Sequence, residues 1–235
     1  MNYYMPRSYP AKPKKNKEPG IKYSVSLVWA AAAAAHRING NSYVKLPVWN
    51  NEVDPPIQLR RPNREIVAEL LAFPENILPE DYVAGENCLQ WIKGDLTFRA
   101  LKNKLTDFDL SVQKALAIES EFDTNFDKLA LAVIPSLPAS YARGIAREET
   151  NIKLRMASDA MIGAVSDKVT LTIEVLNSNY SHTWNVWFIT GIDSENRRVF
   201  FSYRNQLSTG STHKISGTVK AHRDDSTQLN RVKML

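Results

Sequence analysis

The chain has a single cysteine, Cys88, so it can form no intramolecular disulfide. One thiol also cannot supply the cysteine cluster of a structural zinc or iron–sulfur centre. No stretch approaches the roughly 18–20 unbroken apolar residues that a membrane helix needs, because Leu27–Ala35 is too short. The basic first twenty residues are not followed by an apolar segment of the signal-peptide type. These absences predict a cytoplasmic protein with no membrane association.

Glycine is scarce as well. The chain has nine glycines, and none lies in a G-x-G-x-x-G or G-x-x-x-x-G-K pattern, so nucleotide hydrolysis is not favoured. His36, His182, His213 and His222 show neither His-x-x-x-His nor Glu-x-x-His spacing, and no metal site is predicted.

Two other catalytic patterns are weak. Ser181 and His182 are adjacent and therefore point apart, so a triad would need a tertiary coincidence with Asp224 or Asp225. The acidic pairs Asp107/Asp109 and Glu148/Glu149 could suit a two-metal nuclease, but such pairs are more typical of charged helix surfaces. The sequence predicts that the protein is not an enzyme and needs no cofactor.

Charge is unevenly distributed along the chain. Residues 1–64 hold 11 lysines and arginines against 3 acidic residues, residues 65–157 hold 10 against 15, and residues 158–235 hold 9 against 7. Basic regions on both sides of an acidic centre suit a protein that binds nucleic acid, because lysine and arginine release its condensed counterions. General solubility is the alternative explanation for the net charge of +5.

Composition and periodicity divide the chain into three parts. Residues 1–20 combine four prolines with basic residues and almost no aliphatic side chains, which predicts a flexible basic arm. Residues 21–160 are predicted to form a mainly helical domain. Its helices are expected near residues 24–38, 65–73, 79–92, 96–105, 109–119, 127–134 and 141–156, with a short strand at 42–48, a loop at 50–63 and a break at Gly94-Asp95.

At Gly163 the helical period gives way to alternation, and residues 161–235 form the third part. Strands are predicted near residues 169–175, 184–192, 197–203, 215–221 and 227–234. Five short strands in so small a segment favour closure into a barrel, because closure removes unpaired edges. The predicted fold class is α+β: a helical N-terminal and middle region followed by a C-terminal five-stranded OB-type β-barrel.

One motif supports the OB assignment. Leu207-x-x-Gly210-x-x-x-Lys214-Ile215-x-Gly217-x-Val219-Lys220, followed by Thr227-x-Leu229-x-Arg231-Val232-Lys233, resembles the fourth and fifth strands of nucleic-acid-binding OB domains. Through residues 167–233 the chain resembles phage-type single-stranded DNA-binding proteins. It departs from them by ending in basic and apolar residues, so recruitment of partners through an acidic tail is not expected. The helical middle matches no motif.

Single-strand binders combine a cationic groove with aromatic faces on which bases stack, at about 1–3 kcal/mol per base. Val186 and Phe188 are predicted to face the barrel interior, which makes the outward-facing Trp187 the first stacking candidate. The further aromatic candidates are Tyr203, Tyr180 and Trp184, and packing within the barrel is the alternative for each. The predicted phosphate contacts, which could instead be an ordinary solvated surface, are Arg197, Arg198, Lys214, Lys220, Arg223, Arg231 and Lys233.

The leading hypothesis is a single-stranded nucleic-acid binding protein, with DNA favoured, of phage-type replication or recombination in the host cytoplasm. The runner-up is a structural or virion assembly protein that uses the barrel for protein–protein contacts. A nuclease subunit comes third. The choice between DNA and RNA, homo-oligomerisation, contacts with replication or virion proteins and the role of the helical middle stay open.

Overall fold

The computed structural model describes residues 18–235, so most of the predicted arm lies outside the described residues. The last residues of that arm are bonded to the loop after residue 123. The Gly20 N–H donates to the Asp123 carboxylate at 3.0 Å, and the Asn125 side-chain amide donates to the Glu18 carbonyl at 3.0 Å. The chain is thus anchored from residue 18 onward.

The described chain is α+β, as predicted, and divides into two units at residues 143/144. The helices are α1 (Val25–Ile38), α2 (Asn63–Ala72), α3 (Pro79–Leu101), α4 (Asp107–Leu116), α5 (Lys128–Val133) and α6 (Leu137–Met156), with 3-10 turns at Pro74–Asn76 and Ile134–Ser136. The strands are β1 (Lys22–Ser24), β2 (Val48–Asn50), β3 (Ile57–Arg60), β4 (Glu121–Asp123), β5 (Lys168–Ser181), β6 (Val186–Asp193), β7 (Arg198–Tyr203), β8 (Thr212–Arg223) and β9 (Ser226–Met234).

The alanine-rich helix α1 is the centre of the first unit. It begins after Ser24, whose hydroxyl accepts a hydrogen bond from the Leu27 N–H at 3.3 Å. Every residue from Val28 to Ala35 is buried, so the helix has no solvent face over two turns. Small side chains let other helices approach closely: a Cβ on Gly85 of α3 would lie 2.7 Å from the Trp29 carbonyl carbon. The predicted helix is confirmed with nearly the same bounds.

Cys88 lies in the core beneath α1. It is 1% exposed, and burial raises the pKa of its thiol to about 12. A thiol with so high a pKa is not a nucleophile at neutral pH. Cys88 therefore acts as a small apolar side chain in packing.

Two sequence predictions in the first unit are wrong. Helix α3 runs unbroken through Gly94-Asp95, because Ile92 and Leu96 are buried on either side and Asp95 accepts a 2.8 Å hydrogen bond from Arg99. One glycine costs a helix only about 1 kcal/mol, which such packing offsets. The predicted strand at 42–48 and loop at 50–63 are replaced by the antiparallel β2–β3 hairpin.

The β2–β3 hairpin and the residue two positions before it expose an unusual number of apolar side chains for so small a sheet. They are Leu46, Val48, Trp49, Ile57 and Leu59. A two-stranded hairpin is marginal in water by itself. These side chains leave a considerable apolar area uncovered in the described chain.

Residues Lys128–Met156 contain one window that is long and apolar enough, by length and composition alone, to cross a membrane. Core helices of soluble proteins pass the same test, and 39% of the window is buried. Ile134 and Leu137 within it pack into the core around α1.

The second unit contains the barrel. Its five strands close in the order β5-β6-β7-β9-β8, with β5 pairing to both β6 and β8. All pairs are antiparallel except β7–β9, which is parallel over Arg198–Phe201 and Ser226–Leu229. The predicted five-stranded closed barrel is confirmed. Its fully buried interior includes Ile173, Val175, Ile189, Val199, Phe201 and Ile215.

Candidate nucleic-acid interface

The facing of β6 is opposite to the prediction. Ile189 is fully buried in the barrel, and Trp187 shares its face and packs against the same core. Phe188, one residue on, therefore lies on the outer face. The prediction that Val186 and Phe188 point inward is wrong because β6 is apolar on both faces, and alternation alone cannot orient such a strand. The outward aromatic of β6 is Phe188, not Trp187.

The outer face of β6 and β7 carries an aromatic cleft. The Phe188 and Phe200 rings are stacked at an interplanar angle of 25°, with centroids 5.7 Å apart. The cleft beside them has a volume of about 290 Å³. We call it the aromatic cleft; its lining consists of Trp184, Val186, Phe188, Phe200, Ser202, Lys220 and Gln228.

A second, larger cleft lies where β7 and β9 separate. The two strands pair only as far as Phe201 and Leu229, and beyond those residues their ends diverge. The space there has a volume of about 470 Å³. We call it the cationic cleft, and it is lined by Val186, Ser202, Tyr203, Arg204, Arg231, Val232, Lys233 and Met234. Because Val186 and Ser202 line both clefts, the two are contiguous.

Two β-bulges on the β8–β9 pair introduce cations at the clefts. Lys220 is the extra residue where the register shifts between Val219 and Ala221. The second shift, at Gly217, leaves Arg231 and Val232 opposite one residue, and Arg231 has the left-handed φ of 51°. Bulges re-aim side chains, and a non-glycine residue in this conformation costs about 1 kcal/mol. The fold retains a strained residue beside the cationic cleft.

The electrostatics of this surface are one-sided. Arg204, Arg231 and Lys233 line the cationic cleft, Lys220 lines the aromatic cleft, and no carboxylate lines either one. Among residues 18–235 none of these four cations forms a salt bridge, whereas other arginines of the barrel do. Unpaired cations beside an open groove attract phosphate groups.

Two predicted phosphate contacts are engaged within the protein. The Arg197 guanidinium donates to the Asp193 carboxylate at 2.6 and 2.9 Å, and that side chain is only 1% exposed. Arg198 forms an ion pair with Asp225 and donates to the Leu154 carbonyl at 2.9 Å, at the end of α6. The geometry indicates structural roles for both arginines.

The structure brings five of the predicted residues to the clefts and leaves the others away from them. Trp184 and Lys220 line the aromatic cleft, and Tyr203, Arg231 and Lys233 line the cationic cleft. Tyr180 packs its ring 5.2 Å from Trp187, and Lys214 lies opposite Thr172 on β5. The predicted residues that line neither cleft are Trp187, Tyr180, Arg197, Arg198, Lys214 and Arg223.

Sequence reasoning missed Phe188, Phe200, Arg204 and Gln228. A usable signal was present in β7, where Arg198, Phe200 and Ser202 alternate with Val199 and Phe201. That pattern assigns the polar residues to the outside, and pairing of Phe188 with Ser202 carries the same assignment to β6. The β7 pattern is thus a better guide to the facing of β6 than β6 itself.

One of the carboxylates considered for nuclease chemistry, Asp109, has a structural role. Asp109 caps α4, accepting the Thr106 N–H at 2.9 Å and an Arg99 N–H at 2.8 Å. Within the described part of the chain, no three His, Cys, Asp or Glu side chains are grouped closely enough to hold a metal ion.

Comparisons of the chain with protein-family models, with curated proteins and with solved structures found no match.

Proposed function

We propose that the protein binds single-stranded nucleic acid across the two contiguous clefts of its barrel. The observation that carries the proposal is the junction of the two clefts: a stacked aromatic pair borders a groove whose cations have no acidic partner among the described residues. Bases have a π face that stacks on aromatic rings, and their phosphates need cations a few ångströms away. A duplex hides its base faces, so the surface favours single strands.

The topology supports an OB fold for the barrel. The closing order β5-β6-β7-β9-β8, with its single parallel pair, is the order expected of an OB domain. Such domains bind oligonucleotides on their second and third strands and on the adjacent loops. The aromatic cleft lies on the corresponding strands, β6 and β7, and Trp184 comes from the loop between β5 and β6.

The expected ligand is DNA. The resemblance of residues 167–233 to phage-type single-stranded DNA-binding proteins points to replication or recombination. The proposed role is to cover or hold single strands without catalysing a reaction on them. The proposed function requires neither a metal ion nor a small-molecule cofactor. If RNA binds more tightly than DNA, RNA replaces DNA as the proposed ligand.

The test is fluorescence anisotropy with labelled single-stranded DNA, duplex DNA and RNA of equal length at two salt concentrations. We expect single-stranded DNA to bind more tightly than duplex, with log affinity falling by about 0.7 per log unit of salt for each phosphate contacted. Equal affinity for duplex, or affinity that ignores salt, would contradict the proposal. Tighter binding of RNA would keep the site and change the ligand.

A second candidate function, assembly, is favoured by the exposed β2–β3 hairpin. Its uncovered apolar side chains suit contact with a second copy of the chain. Sedimentation of the wild-type protein and of a Trp49→Ser/Leu59→Ser variant would test this. Assembly is supported if the wild type forms a dimer or larger species that the variant does not, and excluded if both are monomers.

A further inference from the structure

Gln228 carries a buried hydrogen-bonding atom with nothing to bond. Its side-chain carbonyl oxygen, Oε1, is inaccessible to solvent and has no partner among the described residues. Leaving such a group unpaired is destabilising, and an unsatisfied buried polar atom calls for an explanation. Gln228 also lines the aromatic cleft, so a ligand there supplies the missing donor once the side-chain amide turns its oxygen toward the cleft.

The neighbours of Gln228 belong to the cleft as well. On β7 its parallel partner is Phe200, which is stacked on Phe188. On β8 its partner is Ala221, next to the bulged Lys220. An amide therefore lies between the aromatic pair and a cation.

We propose that Gln228 and Lys220 read the edge of a guanine base that stacks against Phe188 and Phe200. The inference rests on the proposed single-strand binding and adds a base preference to it. Guanine complements the two groups: its N1–H and N2–H₂ donate to Oε1, which lacks a donor, and its O6 and N7 accept from lysine.

The other bases fit this pair of groups less well. Thymine presents only one N–H, between two carbonyls. Adenine can accept from Lys220 at a ring nitrogen, but it offers Oε1 only its amino group, whereas guanine offers both N1–H and N2–H₂. Cytosine has both an amino group and acceptors, but as a pyrimidine it covers less of the two rings. The cleft, at about 290 Å³, has room for a purine.

The experiment measures affinities for four labelled 12-mers: alternating dT-dG, dT-dA and dT-dC, and oligo-dT. In an alternating strand every second nucleotide carries the base under test, so half of the possible alignments on the protein place that base in the aromatic cleft. Alternation also avoids runs of guanine. We expect the dT-dG strand to bind about fivefold more tightly than the others, as one good hydrogen bond predicts when half of the registers present guanine.

Two substitutions of Gln228 separate the mechanisms. Gln228→Met keeps the length of the side chain, removes the acceptor and should reduce the preference to below about twofold. Gln228→Glu keeps an acceptor oxygen in place, replaces the amide N–H₂ with a second acceptor, and should retain the guanine preference. Recognition of adenine would also use the amide N–H as a donor. A preference for adenine would therefore be lost in Gln228→Glu. Gln206→Met, at an exposed glutamine of the same unit that lines neither cleft, is the control.

The outcomes distinguish this inference from the proposed function. Equal binding of all four strands, preference for another base, or a guanine preference that survives Gln228→Met would overturn the inference and leave single-strand binding intact. Loss of preference in Gln228→Glu with retained folding, checked by circular dichroism, would also overturn it. Failure of the wild type to bind any of the four strands would overturn both.

Discussion

The barrel holds basic side chains in two different settings. At the turn between β6 and β7, Arg197 is bonded to the buried Asp193 and Arg198 to Asp225. At the cationic cleft, Arg204 and Arg231 have no acidic partner among the described residues. Residues of one type thus stabilise the fold in one place and remain available to a ligand in the other. Charge counts along a sequence cannot separate the two.

Aromatic residues show the same contrast between the closed and the open parts of the barrel. Phe201 is fully buried in the interior, whereas its neighbour Phe200 is half-buried on the outer face against Phe188. Position on the strand, rather than residue type, decides which of them can contact a ligand. Substituting an inward-facing residue and its outward-facing neighbour on the same strand can therefore test whether only the outer face contacts a ligand.

The largest effect is expected from the two neighbouring phenylalanines of β7. Phe201→Ala should lower the free energy of unfolding by about 3–5 kcal/mol, because it leaves a cavity in the barrel. Phe200→Ala should lower it much less and weaken single-strand binding instead. Urea denaturation of both variants measures the difference. Equal destabilisation would mean that the outer face is as tightly packed as the interior.

Arg197→Met comes next. It leaves the Asp193 carboxylate buried with only the N–H groups of residues 195 and 197 as partners. We expect a loss of about 3 kcal/mol in unfolding free energy, the usual result of removing one member of a buried pair. Arg204→Met is the matched control and should change stability by less than about 0.5 kcal/mol. Unchanged stability in Arg197→Met would show that the turn does not need its ion pair.

Much of the fold could be predicted from sequence. Alternation in β5, and in β8 as far as Val219, is unambiguous because polar residues mark the outer faces, and the predicted facing of residues 169–175 and 215–219 is correct. The bulge at Lys220 ends the alternation, so the predicted inward facing of Ala221 is wrong. The alanine run of α1 was equally clear. Gly94 was misleading because tertiary packing at Ile92 and Leu96 overrides a weak local preference.

The candidate site was predictable only in part. Trp184, Lys220, Tyr203, Arg231 and Lys233 could be named because single-strand binding calls for aromatic and basic residues near strand ends. Phe188 could not be oriented within the apolar β6, and the ion pairs of Arg197 and Arg198 depend on Asp193 and Asp225. Side-chain pairing and bulges are properties of the three-dimensional structure, which periodicity does not encode.

Phe188→Ala tests the corrected facing of β6. It should weaken binding of a single strand by about 1–3 kcal/mol through loss of stacking, with a smaller change in stability. Trp187→Ala, one residue earlier, should mainly destabilise the barrel, because that ring packs on the core. Affinity by anisotropy and stability by urea denaturation are measured on both variants. The reverse pattern would restore Trp187 as the stacking residue.

The smallest effect concerns Arg231, with its φ of 51°. Arg231→Gly should relieve the left-handed strain, leaving stability unchanged or raising it by up to about 1 kcal/mol. The same change should reduce the slope of log affinity against log salt by about 0.7, because one phosphate contact is lost. Arg231→Ala should show the same loss of slope without the gain in stability. An unaltered slope in both variants would remove Arg231 from the interface.

The central claim is that a single strand lies across the two clefts, and photochemical crosslinking tests it most directly. Oligonucleotides with 5-iodouracil are irradiated in complex with the full chain, and the crosslinked peptides are identified by mass spectrometry. The account predicts crosslinks at Trp184, Phe188, Phe200 and Tyr203, reduced by excess unlabelled single strand. Crosslinks confined to residues 18–143, or to β5 on the barrel, would contradict it.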